Sequence, residues 1–240
     1  MNLEKKRIHD CWFCGNKKSK LIKKCINSWK KYCPEYEIIE WNESNFDINC
    51  NNYVRQAYNQ KKWAFVTDFA RLWIIYNFGG VYLDTDVELI MPISDSIYDY
   101  NGFFCMEGNR IATGLGFYAK KGDKLIGDLI NLYSKLVFDD KKTCVLLSDP
   151  VFKKHFKNMG EIKEKMVINN YLIYPSEYFC PLNYITRELK VTDKTIAIHW
   201  YSASWFSKTK KFKSNIKLLL RKIIGEKNFE KIKIKYKKGD

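Results

Sequence analysis

Two aspartates one residue apart, Asp84 and Asp86, stand inside the run GGVYLDTDVEL, Gly79 to Leu89. The apolar residues Val81 to Leu83 before them predict a short buried strand. Residues i and i+2 of a strand point to the same side, so the two carboxylates are expected to face one site. In open α/β sheets ligands bind beyond the carboxyl ends of the strands. Two carboxylates there suit a hard divalent cation, Mg²⁺ or Mn²⁺, and a diphosphate bridged through it. As a diphosphate leaves, charge grows on its oxygens, and a bound cation stabilises that charge. An isolated DxD triplet is commonly an exposed acidic turn. An acidic pair placed directly after an apolar strand is poorly explained as solvated surface.

Two other sites share the spelling. An EF-hand loop needs glycine at its sixth position, where Leu89 stands, so that reading fails. A haloacid-dehalogenase-type phosphatase also carries DxD after a strand, but usually in its first strand, whereas two expected strands precede Asp84 here. It is kept as the alternative. Upstream, Asp68 and Arg71 lie three residues apart and share a helix face. They read either as a buried ion pair within the helix or as a pair reaching a bound ligand, with the planar donor fork of Arg71 suited to phosphate. Cys11 and Cys14 have CxxC spacing, but no second CxxC accompanies them, and they are read as structural thiols. His9 falls mid-strand and is read as structural.

The elements that must position these residues follow from periodicity. Strands are expected at Arg7 to Phe13, Tyr36 to Trp41, Val81 to Leu83, Gly102 to Met106, Leu115 to Ala119, Val167 to Tyr174 and Thr195 to His199. A helix capped by Ser19 carries Leu21, Ile22, Cys25, Ile26 and Trp29 at helical spacing, and Pro34 stops it. Further helices are expected at Tyr53 to Gln60, Trp63 to Phe78, Lys124 to Phe138 and Cys144 to Phe156. The second of these is apolar nearly all round, which marks it as buried. The alternation of strand and helix predicts an α/β fold with a largely parallel sheet. The expected division is a catalytic domain over residues 1–207 and a basic amphipathic segment over 208–240.

The 240 residues are 46% hydrophobic and 16% aromatic, which excludes wholesale disorder. A formal charge of +15 favours anionic partners. No helix-turn-helix, zinc-finger or RNA-binding sheet motif is visible, so a basic nucleic-acid-binding protein is the weakest alternative, and no nucleic-acid partner is expected. The eight cysteines are scattered, and neither a signal peptide nor a membrane span is read. A cytoplasmic protein with reduced thiols is therefore expected. The basic C-terminal segment suits the inner face of the plasma membrane or a packed helix with a solvated face.

The stretch AFVTDFARLWIIYNFGGVYLDTDVEL resembles the signature of family 32 glycosyltransferases. That family includes initiating α-mannosyltransferases of the yeast type and many bacterial capsule and O-antigen enzymes. The same stretch is similar to the catalytic domain of the large clostridial glucosylating toxins. IHDCWFCGN and SWKKYCPEYEIIEWNE before it, and YPSEYFCP and IHWYSASW after it, extend the resemblance over roughly residues 7 to 206. The family more usually has glycine where Cys14 stands, and a doubled histidine where this chain reads HWYSASW.

The resemblance implies a GT-A fold, with a Rossmann-like, mixed and mostly parallel sheet flanked by helices. It also implies a nucleotide-sugar donor (a UDP-sugar by default), Mn²⁺ or Mg²⁺, and retention at the anomeric carbon. Trp12 would stack on the base. Asp68, Arg71 and Tyr82 would contact the donor sugar and phosphates, and Asp84 and Asp86 would hold nucleotide and metal. His199, Ser204 and Trp205 would close over the diphosphate or metal. Trp12 and Trp205 can equally be core tryptophans, and His199 a structural histidine. No covalent nucleophile stands out; retention could proceed by front-face attack within an ion pair, and the sequence leaves that choice open. The implied reaction is hexosyl or N-acetylhexosaminyl transfer to an oligosaccharide or lipid-linked saccharide in surface-polysaccharide synthesis.

Overall fold

A computed structural model describes residues 5–157 and 160–202. Its described elements, in chain order, are β1 (Arg7–Cys11), α1 (Lys20–Tyr32), β2 (Glu37–Trp41), α2 (Asn52–Asn59), α3 (Trp63–Phe78), β3 (Gly80–Tyr82), β4 (Val87–Leu89) and a 3₁₀ turn (Asp95–Asp99). They continue with β5 (Gly102–Glu107), β6 (Arg110–Ile111), β7 (Phe117–Ala119), α4 (Lys124–Ser134), α5 (Cys144–Phe156), β8 (Met166–Ile168), β9 (Tyr171–Tyr174), α6 (Ser176–Phe179) and β10 (Ala197–His199).

The main sheet has the order β2-β1-β3-β7-β5-β9-β8, with β6 paired to β5. The β1–β2, β1–β3 and β5–β9 ladders are parallel; β3–β7, β5–β7, β8–β9 and β5–β6 are antiparallel. Strands β1, β2, β3, β5 and β9 therefore run one way, the mixed α/β architecture expected from the sequence. The period-2 alternation of the strands splits the core between the two faces. Tyr82, Phe104, Phe117 and Ile173 pack under α2 to α5. Val81, Phe103, Tyr118 and Leu172 pack on the other face, with Trp29 of α1, Val87 and Leu89 of β4, Phe179 of α6 and Ala197 of β10.

Local chemistry sets the element ends. Ser19 caps α1 by accepting from the Ile22 amide at 3.3 Å, and Ile22, Cys25, Ser28 and Trp29 form its buried face. Helix α3 occupies the expected residues and buries Asp68 and Arg71 among apolar neighbours. The chain leaves it through Gly79 and enters β3 at Gly80, whose φ is +100°. A side chain there would meet the Arg7 carbonyl at 3.1 Å and the His9 ring at 3.2 Å, so only glycine lets β3 lie this close to β1.

Several expectations are corrected. The single strand expected at Val167 to Tyr174 is a hairpin of β8 and β9. Asn169 and Asn170 both adopt positive φ, 51° and 63°, which makes a two-residue turn that asparagine tolerates. Strand β1 stops at Cys11 rather than Phe13, and α4 stops at Ser134 rather than Phe138. Strand β4 was not foreseen. It pairs antiparallel with β10 in a separate two-stranded sheet, with His199 opposite Val87.

The chain forms two compact units. The first comprises Met1–Pro181 with Lys190–Trp200, and holds every element named above; the second includes Leu182–Leu189. Within the second unit Leu182 and Leu189 form a bridge, and the Tyr184 and Tyr201 rings lie 5.2 Å apart. The domain boundary expected at 207/208, and the basic segment beyond it, lie outside the described residues.

Candidate active site

The two aspartates do not sit on a strand. Strand β3 ends at Tyr82, and Asp84 to Val87 form a tight turn closed by the Val87 amide on the Asp84 carbonyl at 2.9 Å. The side chains nevertheless converge. One ligand atom from each of Asp84, Asp86 and His199 can be chosen so that all lie within 4.8 Å of one another. The convergence comes from the turn and from the β4–β10 ribbon rather than from strand alternation. The Trp200 amide donates to the Asp86 carbonyl at 3.0 Å, and His199 Nε2 stands 3.2 Å from Asp86 Oδ1.

Arg71 joins this turn to α3. Its guanidinium donates to Asp68 and, at 3.3 Å, to Asp84 Oδ1. The buried ion pair of the first reading exists, and its arginine also reaches the aspartate turn. Tyr82, on the same sheet face, donates to Asp84 Oδ1 at 2.7 Å. Gly114 faces the other oxygen of this carboxylate. A Cβ there would lie 2.6 Å from Asp84 Oδ2, so any side chain at this position would take the space beside that oxygen. Nothing in the sequence analysis singled out Gly114; its only signal is the glycine-rich run ATGLG.

Burial and pairing compete in the electrostatics. Burial raises the Asp84 carboxyl, Arg71 opposes that, and the neighbouring charge of Asp86 adds to it. Burial pushes Asp68 up to about 6, again against the pull of Arg71. Burial works against the charge of Arg71, but Asp68 and Asp84 hold the guanidinium charged. For His199, burial disfavours the imidazolium, yet Asp86 more than offsets it and the ring sits above its ordinary value. His9 differs. Its Nδ1 accepts from Trp41 Nε1 at 3.0 Å and its Nε2 lies 3.1 Å from the Gly79 carbonyl. Burial lowers it to about 4, so it is a neutral bracket between β1, β2 and the end of α3, as expected of a structural histidine.

Trp12 follows β1 at the same sheet edge. It lines a cleft of about 560 Å³ together with Asn16, Lys18, Lys23, Glu40 and Ser44. Its Nε1 donates to the Asn16 carbonyl at 2.7 Å, and Lys18 Nζ stands 5.1 Å from the ring centroid. Trp12 is therefore a half-buried wall of an open cleft rather than a core tryptophan. Cys11 and Cys14 are both free thiols. Ser204 and Trp205 lie outside the described residues. Trp200, unremarked in the sequence, donates to Glu88 Oε2 at 2.8 Å, and Lys24 donates to the same oxygen at 2.8 Å. This knot fixes the ribbon that carries His199.

Residues 19–104 match the family model described as a glycosyltransferase sugar-binding region containing a DXD motif. The matched span includes Asp68, Arg71, Tyr82, Asp84 and Asp86. No curated protein sequence matches the chain. Among solved structures, the chain is similar to the PaToxG glycosyltransferase, with 18% identity and a TM-score of 0.50 over 62% of this chain and 67% of that one. It is also similar, at 13% identity and a TM-score of 0.47, to a glycosyltransferase involved in glycosylation of the major capsid of PBCV-1, over 87% of this chain and 98% of that one. The first likeness establishes a shared fold, and the region matched by the family model is a glycosyltransferase one.

Proposed function

We propose that this protein is a metal-dependent glycosyltransferase that moves a sugar from a nucleotide-sugar, a UDP-sugar by default, to a saccharide acceptor with retention at the anomeric carbon. The observation that carries the reading is the convergence of Asp84, Asp86 and His199 beside Arg71, on the sheet edge from which Trp12 also projects. Two carboxylates and an imidazole are a donor set that fits Mn²⁺ or Mg²⁺. The absence of a side chain at Gly114 keeps the space beside Asp84 Oδ2 open, since a Cβ there would lie 2.6 Å from that oxygen. A cation held by Asp84, Asp86 and His199 would stabilise charge on the departing diphosphate.

The chain's own residues do the rest. Arg71 and Tyr82 fix the Asp84 carboxylate by hydrogen bonds to one oxygen, leaving the other for a ligand. Asp68 holds the guanidinium of Arg71 in place, so that both face the donor's sugar and phosphates. Trp12 offers a ring face to the base. In the transfer, the bond from the anomeric carbon to the phosphate oxygen breaks and its electron pair leaves with the nucleotide diphosphate. The acceptor hydroxyl forms the new bond on the same face and passes its proton to the departing phosphate oxygen.

The acceptor we propose is a lipid-linked saccharide at the cytoplasmic face of the plasma membrane, in capsule or O-antigen assembly. The support is charge: residues 208–240 hold 13 Lys+Arg against 3 Asp+Glu, interleaved with apolar residues, as in segments that lie on anionic leaflets. Among the described residues no helix is long and apolar enough to cross a membrane. Truncation at residue 207 would then abolish co-sedimentation with anionic vesicles; retained binding would refute that part.

The transferase reading is tested by thermal shift with a panel of nucleotide-sugars, with and without Mn²⁺, because a ligand that binds only the native state raises its apparent stability. We expect a rise that needs nucleotide-sugar and Mn²⁺ together and that Asp86→Asn removes. No rise with any nucleotide-sugar in wild type would overturn the reading.

A further inference from the structure

Around the Asp68–Arg71 pair, the helices on one face of the sheet bring together polar groups that the mechanism above does not use. Tyr53 comes from α2, Tyr133 from α4, and Cys144 begins α5. The Tyr53 and Tyr133 rings meet edge to face with centroids 5.0 Å apart. Tyr133 also packs 6.0 Å from Phe69, the chain neighbour of Asp68. Each tyrosine is 1% exposed. Among the described residues, neither phenolic oxygen has a hydrogen-bond partner, and neither does Nε of Arg71. Burial, and then the charge of Asp68, raise both phenols and the Cys144 thiol, so all three groups lie within reach of that carboxylate's field.

A buried polar atom is normally paired, because leaving it unpaired forfeits its hydration without return. Three such atoms around one ion pair indicate a place built for a polar group from outside the chain. Arg71 Nε can only donate, the Asp68 carboxylate can only accept, and the phenols do either. The group that satisfies all of them both accepts and donates, which describes a hydroxyl. A carboxylate would face Asp68, and an alkyl group would leave the orphans as they are.

We propose that Tyr53, Tyr133 and Arg71 Nε form a subsite for one hydroxyl of the donor's hexose, which makes the two tyrosines specificity-determining residues. This rests on the transferase reading and deepens it. Asp68 is the more exposed member of the ion pair, its side chain 11% exposed against 2% for Arg71, so a donor would reach these groups from the Asp68 side.

The test uses Tyr53→Phe and Tyr133→Phe in the full chain. Phenylalanine keeps the ring and its packing and removes only the orphan hydroxyl, so the ligand-free melting temperature should hold or rise. Calorimetry with Mn²⁺ would compare UDP with whichever of UDP-glucose, UDP-galactose and UDP-N-acetylglucosamine wild type binds tightest. UDP affinity should be unchanged, while affinity for the sugar donor falls roughly tenfold for each hydroxyl removed. Wild type should also reject one monodeoxy form of that donor, and the variants should accept it nearly as well as the parent sugar. Equal donor affinity in wild type and both variants would overturn the subsite while leaving the transferase reading standing. A lower ligand-free melting temperature would overturn it too, by assigning the hydroxyls to a structural water. If wild type binds no nucleotide-sugar of the wider panel, the transferase reading fails and the subsite with it.

Discussion

Asp10, inside β1, and Asp84, just past the parallel neighbour β3, stand almost level with each other: β1 and β3 pair His9 with Tyr82, so each aspartate follows its paired residue by one or two positions. Asp10 is 1% exposed and its Oδ1 has no hydrogen-bond partner among the described residues. Burial pushes it up to about 8, with Glu40 adding and Lys18 opposing. Asp84 accepts from Tyr82 and Arg71 and keeps Asp86 as a neighbour. Burial thus pushes both carboxyls toward the neutral form, but at Asp84 the Arg71 charge and the Tyr82 hydrogen bond oppose it. A buried acid becomes a charged tool only where the fold supplies donors for its oxygens.

The comparison breaks most completely at Arg71. Arg71→Met would strand Asp68 and Asp84 without their shared cation, and the loss should be about 3–5 kcal/mol of stability by chemical denaturation, as when one partner of a buried pair is removed. A loss near zero would mean that both acids neutralise as Asp10 does. Asp84→Asn keeps the shape and removes the charge. It should cut donor hydrolysis with Mn²⁺ by about 100- to 1,000-fold, the range for losing one electrostatic stabiliser, with the fold intact by circular dichroism. Activity near wild type would remove Asp84 from the chemistry.

At the β1 end the expected effects are smaller. Trp12→Ala should weaken UDP binding by roughly 1–3 kcal/mol, the usual range for lost base stacking. Unchanged affinity in a folded variant would exclude that role. Asp10→Asn should leave transfer unchanged and alter only the pH dependence of stability. Its folded value, about 8, lies above the unfolded 3.8. The folded state therefore binds the extra proton between those values, and wild type loses this contribution as pH rises from about 4 to 8. The asparagine variant has no such proton to lose. Its advantage in urea midpoint should grow across that window and level off above pH 8. An advantage independent of pH would show that Asp10 is ionised in the fold.

Much of the scaffold was legible because it depends on short-range physics. Helix α3 needs only its apolar run and the two glycines after it, and α1 needs Ser19, its spaced apolar residues and Pro34. The hairpin of β8 and β9 was missed because the apolar run around Asn169 and Asn170 imitates one longer strand, and the turn is signalled only by the asparagine pair. Strand β4 was missed because three residues carry too little periodicity to read.

The pattern GGVYLDTDVEL located the acidic pair, and its residue types named a divalent cation and a diphosphate as fitting ligands. Only the tertiary structure decided how the pair is used. His199 lies more than a hundred residues downstream, and it reaches Asp86 because β10 pairs with β4, a register fixed by backbone hydrogen bonds and by the Lys24–Glu88–Trp200 knot. Tyr53, Tyr133 and Cys144 carry no local mark of function, and they come within the field of Asp68 because α2, α4 and α5 pack on the sheet face that α3 occupies. Sequence periodicity tells a residue which side of its own element it takes. Which other elements share that side is settled by packing the whole core.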